Sequence, residues 1–381
     1  MSSEVRVLGR TVSAAGLIAA GSVVAAAALT VALPFMLNAF WLSTLVFILI
    51  YAIAALGLNV LTGYTGQVSL GHAFFLAVGA YTAKVLGGDH QLMALIWIPA
   101  AGVVAGLCGL IVGPVALRLR GLYLAIVTIG IVFIGQHIFL NVDSLSGGPQ
   151  GTAIPSVQIG AGAQCQPSCS VDFSQGTSLG GATIDHNALY YYLSLFILVL
   201  GMLFVRNLVR TRTGRALQAV REREVAASLM GINLVRTKLA AFVISSFLAG
   251  VGGALFGSYL SFVRPQSWDL ILSISFVAMI IVGGIGTVWG PLLGAIFVAG
   301  TPTVLNHYAD SVPFLQHGSS SGGLSINEFS SIFYGALIIL FLVLEPRGVV
   351  GLAGRAIALA QRLARGPAIP PSTPLPSQQS A

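Results

Sequence analysis

The sequence predicts an all-α, polytopic membrane protein of about ten transmembrane helices, and three observations carry that prediction. Of 381 residues, 56% are hydrophobic and only 8% charged, where a soluble domain averages about a quarter charged. Apolar stretches long enough to cross a hydrocarbon core, about 20 residues each, recur along the chain. The basic residues gather at the ends of these stretches instead of forming one surface interleaved with aromatics. A formal charge of +7 therefore reports membrane orientation and not nucleic acid as a partner.

Taken in order, the spans are expected near Val12–Leu33, Ala39–Leu61, Val68–Leu86, Leu92–Ala116, Leu122–Leu140, Ala188–Leu208, Leu239–Phe262, Leu270–Val282, Pro291–Leu305 and Ile326–Leu344. The first follows Arg6 and Arg10 but is too apolar for too long to be a signal peptide, whose apolar region runs about 7–15 residues. Ten crossings that start inside leave both termini in the cytosol. Every Lys and Arg of the eighteen then falls inside except Lys84 and Arg264. A missed span would invert all that follows it, so the bias tests the count. Asp89, Asp143, Asp172, Asp185, Asp269, Asp310 and Glu328 lie outside, and no carboxylate lies mid-span.

Three polar stretches interrupt the spans: an outer Gly/Ser-rich loop over 141–187, a cytosolic segment over 211–238, and a Pro/Ser/Gln-rich tail over 367–381 expected to be disordered. The outer loop is either a docking surface for a protein or an unconstrained insertion. Its Cys165 and Cys169 either pair or begin a metal site that lacks further ligands. Residues Ser69 to Gly79 and Ser273 to Gly283 share Ser, Val and Gly at equal spacing in spans of opposite direction. That is the register of a five-plus-five inverted pseudo-repeat.

Three stretches carry candidate function. In Gly57 to Ala80, the polar Asn59, Gln67, Ser69 and His72 stand among Gly63, Gly66 and Gly71. A polar, glycine-broken stretch at membrane depth is either shielded by protein or lines a water-filled path, so these seven are the translocation-path candidates. The alternative is close helix packing through the glycines. His72 has no second ligand at metal spacing, so no metal is expected. Gly283 to Gly294 (GGIGTVWGPLLG) reads as a turn between two short helices with Pro291 at a helix start. No G-x-x-x-x-G-K-[ST] occurs, so the chain is expected to bind no ATP itself. Thr213 to Lys238 is the most charged segment. It reads as one surface helix capped by Thr213, with Ala216, Val220, Ala227 and Met230 inward and Gly231 ending it. Arg215, Arg221, Glu222, Arg223 and Glu224 are then left for partners or water.

The sequence holds no paired carboxylates, H-E-x-x-H or G-x-S-x-G, so no catalytic residue is expected. A proton-coupled carrier would need an ionisable relay in its spans. A sodium-coupled carrier acting alone would not need the charged cytosolic segment.

Glu224-Val-Ala-Ala-Ser-Leu-Met-Gly231 resembles the cytosolic loop by which permease subunits of ABC importers dock onto their ATPases. The Ala226-Ala227-x-x-x-Gly231 spacing matches, whereas Val225 stands where the acid is usual and no Ile-x-Leu-Pro follows. Those departures are similar to the branched-chain amino-acid permease family. Its likeness extends from GLNVLTGYTGQVSLGHAFFLAVGAYT through RLRGLYLAIVTIG, SGGPQGT, GRALQAVREREVAASLMGIN and GGIGTVWGPLLGA to LEPRG. The resemblance implies a permease domain over 1–366 in a bacterial inner membrane, importing leucine, isoleucine or valine. It also implies Arg215, Arg221, Glu222, Glu224, Ala226, Ala227 and Gly231 as ATPase-coupling residues. The implied partners are a second related permease, two cytosolic ABC ATPases that bind ATP and Mg, and an outer-face binding protein. Permeases for urea or short amides resemble the sequence too and give the alternative substrate.

Overall fold

The computed structural model describes residues 4–7, 10–13, 30, 32–117, 121–159, 171–174, 177–179 and 182–308, with short pieces at 315–316, 324–325, 332, 335–336, 339–340, 348–351 and 355. Helices dominate. They are labelled α1 (Ala39–Leu58, continued by a π turn Asn59–Gly63), α2 (His72–Ala83, continued by a π turn Lys84–Asp89), α3 (Ala94–Leu117) and α4 (Leu122–Asn141). After the long loop come α5 (His186–Arg210), α6 (Arg212–Glu222), α7 (Glu224–Leu229), α8 (Leu234–Leu260), α9 (Leu270–Gly283) and α10 (Gly290–Tyr308). Among the described residues, six helices are long and apolar enough to cross a membrane: those over Ala39–Gly63, Ala94–Pro114, Tyr123–Asn141, His186–Arg210, Leu234–Leu260 and Pro265–Gly283.

Four expectations need correction. The first span was expected from Val12, but Arg10–Ser13 is a strand paired antiparallel with Glu4–Val7, Glu4 opposite Ser13. β-branched Val5, Val7, Thr11 and Val12 favour that pairing over a helix start. The rest of that span, most of Ile326–Leu344, Cys165, Cys169 and the tail lie outside the described residues. The third span starts at His72 and not Val68, because residues 66–71 are non-helical. The surface helix is two helices, broken at Arg223 with φ −154° and ψ 106°. Its cap is Thr211, whose hydroxyl accepts from the Gly214 amide, and not Thr213. Gly231 does close the segment, at φ +81°, a conformation that favours glycine.

The spine is α8, which packs against α1, α2 and α3. Lipid tails are as apolar as leucine, so helices here associate by close packing instead of by escape from water. Small residues permit it. A Cβ added to Gly250 would stand 2.5 Å from the Ala105 Cβ, and one on Gly57 2.6 Å from the Ser245 carbonyl. Gly79 meets the Gly250 backbone in the same way, and Gly253 of α8 meets the Leu76 backbone.

The basic residues on the helices from α2 to α8 and the turn after α8 sort by end. Arg206, Arg210, Arg212, Arg215, Arg221, Arg223, Arg236 and Lys238 mark one end, the basic end, and Lys84 and Arg264 the other. At that opposite end Thr152–Ala153 pairs antiparallel with Phe262–Val263. The Ile154 amide donates to the Ser261 carbonyl (3.0 Å).

Candidate functional site

The three stretches singled out in the sequence meet at the basic end. α1 runs down to Gly63 through its π turn, and an α-helical Gly63 carbonyl would next accept from the amide of residue 67. Residue 67 lies in the non-helical stretch, so that carbonyl is left over. Arg221, on the last turn of α6, fills the vacancy: its Nη1 donates to the Gly63 carbonyl. A guanidinium at a helix C-terminus also meets the negative end of the helix dipole. Arg221 was expected to face partners or water; it is exposed and is also tied to α1.

The glycine turn after α9 closes the junction. The fully buried Asn59 donates from Nδ2 to the Thr287 carbonyl (2.8 Å) and accepts at Oδ1 from the Gly286 amide (2.9 Å). One amide side chain therefore reads both a donor and an acceptor of the turn, its carbonyl oxygen and its NH2 serving one each. Gly286 takes φ +78°, and a Cβ there would stand 2.6 Å from Arg221 Nη1. A Cβ on Gly63 would stand 2.7 Å from the Gly286 amide. Gly66 (φ +73°) turns the chain beneath Arg221, whose Cγ lies 3.4 Å from where its Cβ would be.

From Gly66 the chain climbs back beside α1. His72 reaches the Ala54 carbonyl through Nε2 (2.8 Å). Ala54 is nine residues, or about 13 Å of helix rise, above Gly63. A carbonyl only accepts, so Nε2 carries the proton and the ring is held as a donor against α1. Hydroxyls satisfy the backbone of this break. The Leu70 amide donates to Thr128 (2.9 Å), the Gly71 amide to Ser69 (3.3 Å) and the Ala73 amide to Ser273 (3.0 Å). Non-helical backbone away from water requires that internal satisfaction. A Cβ on Gly71 would stand 3.0 Å from the Thr128 carbonyl.

Burial alternates along the non-helical segment. Gln67 and Ser69 are buried in the protein, Gln67 donating to the Thr65 hydroxyl (3.0 Å), whereas Gly66 and Val68 are exposed. The side chain the break leaves open is therefore Val68, at 41% exposure. Val68 was not singled out from sequence. A non-helical reading of residues 66–71 was the signal that would have found it, had the stretch not been read as helical.

On the surface segment, Gly214, Leu217, Val220 and Ala227 are buried, and Met230, expected inward, is 84% exposed. The break at Arg223 rotates α7, so that Val225, Leu229 and Met230 form an apolar edge facing away from the bundle. Ala226 and Gly231 are exposed beside that edge, as are Arg215 and Glu222 on α6. Glu224 does not face outward either: its Oε1 pairs with Lys238 Nζ at 2.5 Å, joining α7 to the start of α8. Among the described residues no three His, Cys, Asp or Glu side chains come together.

A family model described as the permease component of branched-chain amino acid transport systems matches residues 40–342. The chain belongs to that family. It is 31% identical to the high-affinity branched-chain amino acid transport system permease protein LivM of Escherichia coli K12, over 90% of this chain and 77% of that one. Identity to LivM of Salmonella typhimurium is 30%, over 89% and 76%. The E. coli K12 permease protein LivH is 28% identical over 79% of this chain and 91% of its own length. No solved structure matches the chain.

Proposed function

We propose that this chain is one permease subunit of an ATP-driven importer that moves leucine, isoleucine and valine across a bacterial inner membrane. Family membership and the likeness to LivM support the substrate class. The mechanism rests on one observation: a surface segment with an exposed apolar edge plugs, through Arg221, into the broken end of a membrane helix.

In this reading the basic end is cytosolic, the chain crosses ten times, and both termini are inside. The sorting of described Lys and Arg to one end supports it. The five-plus-five inverted arrangement draws support from the Ala73–Ser273 bond, which joins the two echoing segments. Two cytosolic ATPases hold ATP and Mg, and this chain holds no cofactor. One ATPase seats Val225, Leu229 and Met230, with Arg215, Glu222, Ala226, Ala227 and Gly231 around them. A second, related permease completes the membrane unit, consistent with likeness to both LivM and LivH, and an outer-face binding protein delivers substrate.

Movement of α6 and α7 on ATP binding pulls on Gly63 and Gly286 together, because Arg221 and Asn59 link them. The break at Gly66–Gly71 then shifts against α4 and α9 and alternates access. Val68 presents an aliphatic wall to the path, suited to aliphatic side chains, while Asn59, Gln67, Ser69 and His72 fix the backbone behind it.

Uptake of labelled leucine by cells with and without the gene tests the substrate. Gene-dependent uptake competed by isoleucine and valine supports the reading. Unchanged leucine uptake with lost urea uptake moves the function to the amide permeases.

A further inference from the structure

Along α5 an exposed stripe of Phe196, Val199, Leu200, Leu203 and Phe204 recurs at helical spacing. At the basic end the same face continues into Arg206 and Arg210, one turn apart and both exposed. The chain turns at Thr211 into α6, whose first turns carry exposed Arg212 and Arg215. Arg215 reaches back, its Nη1 donating to the Arg210 carbonyl at 3.3 Å. Four guanidiniums thus crowd one corner, and among the described residues no carboxylate lies within ion-pair distance of any of them. Ion pairs form elsewhere, Lys84 with Asp89 and Lys238 with Glu224.

Membrane orientation needs basic residues at this end, but it needs neither their crowding nor their alignment with an apolar stripe. Arginine forks bind phosphate in two-point fashion and tolerate partial burial better than lysine. We propose that this corner binds the phosphodiester headgroup of an anionic phospholipid, whose acyl chains lie along the α5 stripe. The stripe is what selects a lipid: a free phosphate or an acidic protein surface has nothing to place on it. The inference rests on the membrane placement of α5 and is independent of which solute is imported.

The test uses the full complex reconstituted in phosphatidylcholine nanodiscs with phosphatidylglycerol added, re-extracted in detergent, with retained phosphatidylglycerol counted by mass spectrometry. The variant is Arg206→Gln with Arg210→Gln, which leaves the α6–α7 docking residues intact. An arginine near an anionic surface gives about a fivefold preference, so retention should fall at least tenfold. The Arg206→Lys with Arg210→Lys pair, which keeps the charge but not the fork, should restore only part of it, and excess glycerol phosphate should not compete. Unchanged retention in the Gln pair would overturn the proposal. So would loss of co-purifying ATPase with phosphatidylglycerol unaltered, which would make the corner a protein-docking surface.

Discussion

At the end opposite the arginines, α5 and α8 are joined by neutral groups that back one another up. The Tyr190 hydroxyl accepts from the Val157 amide (3.1 Å) and donates to the Ser258 carbonyl (3.0 Å), while Ser258 Oγ donates to the Pro155 carbonyl (2.7 Å). Tyr259 donates to Asn187 (2.8 Å), and the Thr152–Ala153 strand pairs beside them. At the basic end, one amide and one guanidinium hold a helix terminus and a glycine turn. Redundant neutral bonds make a fixed end. A few separable bonds at glycine turns make a joint, which is what the proposed drive from that side would require.

The sharpest way to break this comparison is to fill the joint. Gly63→Val places side-chain atoms on the Gly286 backbone, and uptake in whole cells should be lost, because overpacking against backbone forces the joint to shift. Asn59→Leu is expected next. It leaves a buried donor and acceptor unpaired, at roughly 1–3 kcal/mol each, and should lower the unfolding midpoint of the purified complex. If it unfolds like the parent protein, the turn is held by something else.

Arg221→Gln should leave abundance near normal and reduce leucine moved per ATP hydrolysed about tenfold, as expected for loss of a charged hydrogen bond. Glu224 is a poorer probe than the sequence suggested. Its removal leaves Lys238, whose side chain is 7% exposed, without its salt-bridge partner, so lost uptake would mix folding with coupling.

At the fixed end the effects are smaller. Tyr190→Phe should cost about 1 kcal/mol in denaturant unfolding and leave uptake per ATP unchanged, because the neighbouring bonds remain. Asp172 is smaller still. Burial raises its carboxyl, but bonds from the Ser174 amide, Ser156 and Gln158 outweigh that and hold it below the ordinary aspartate range. A depressed acid stabilises at pH above its unfolded value and loses that stabilisation as pH falls through the folded one. Loop stability should therefore be flat from neutral to about pH 5 and decline only below about pH 4.

Much of this was legible in the sequence. Length, hydropathy and Gly/Pro punctuation located eight of the ten expected spans on described helices, with ends displaced by a few residues. Charge density located the surface segment, and polar and glycine content located both glycine stretches. Two things were not legible. The break at Arg223 follows no proline or glycine, so nothing local announced it. Contacts between stretches more than 150 residues apart, such as Arg221 with Gly63, leave no trace in spacing, so arginines that close the joint read as solvated charge. Reading 68–71 as helix hid the alternation that buries Ser69 and exposes Val68.

The most direct test of the joint measures leucine transport and ATP hydrolysis together in the reconstituted complex carrying Arg221→Gln. Hydrolysis that persists while transported leucine per ATP falls about tenfold is the predicted result. An unchanged ratio would show that force reaches the broken helix without Arg221, and the account of the basic end would be wrong.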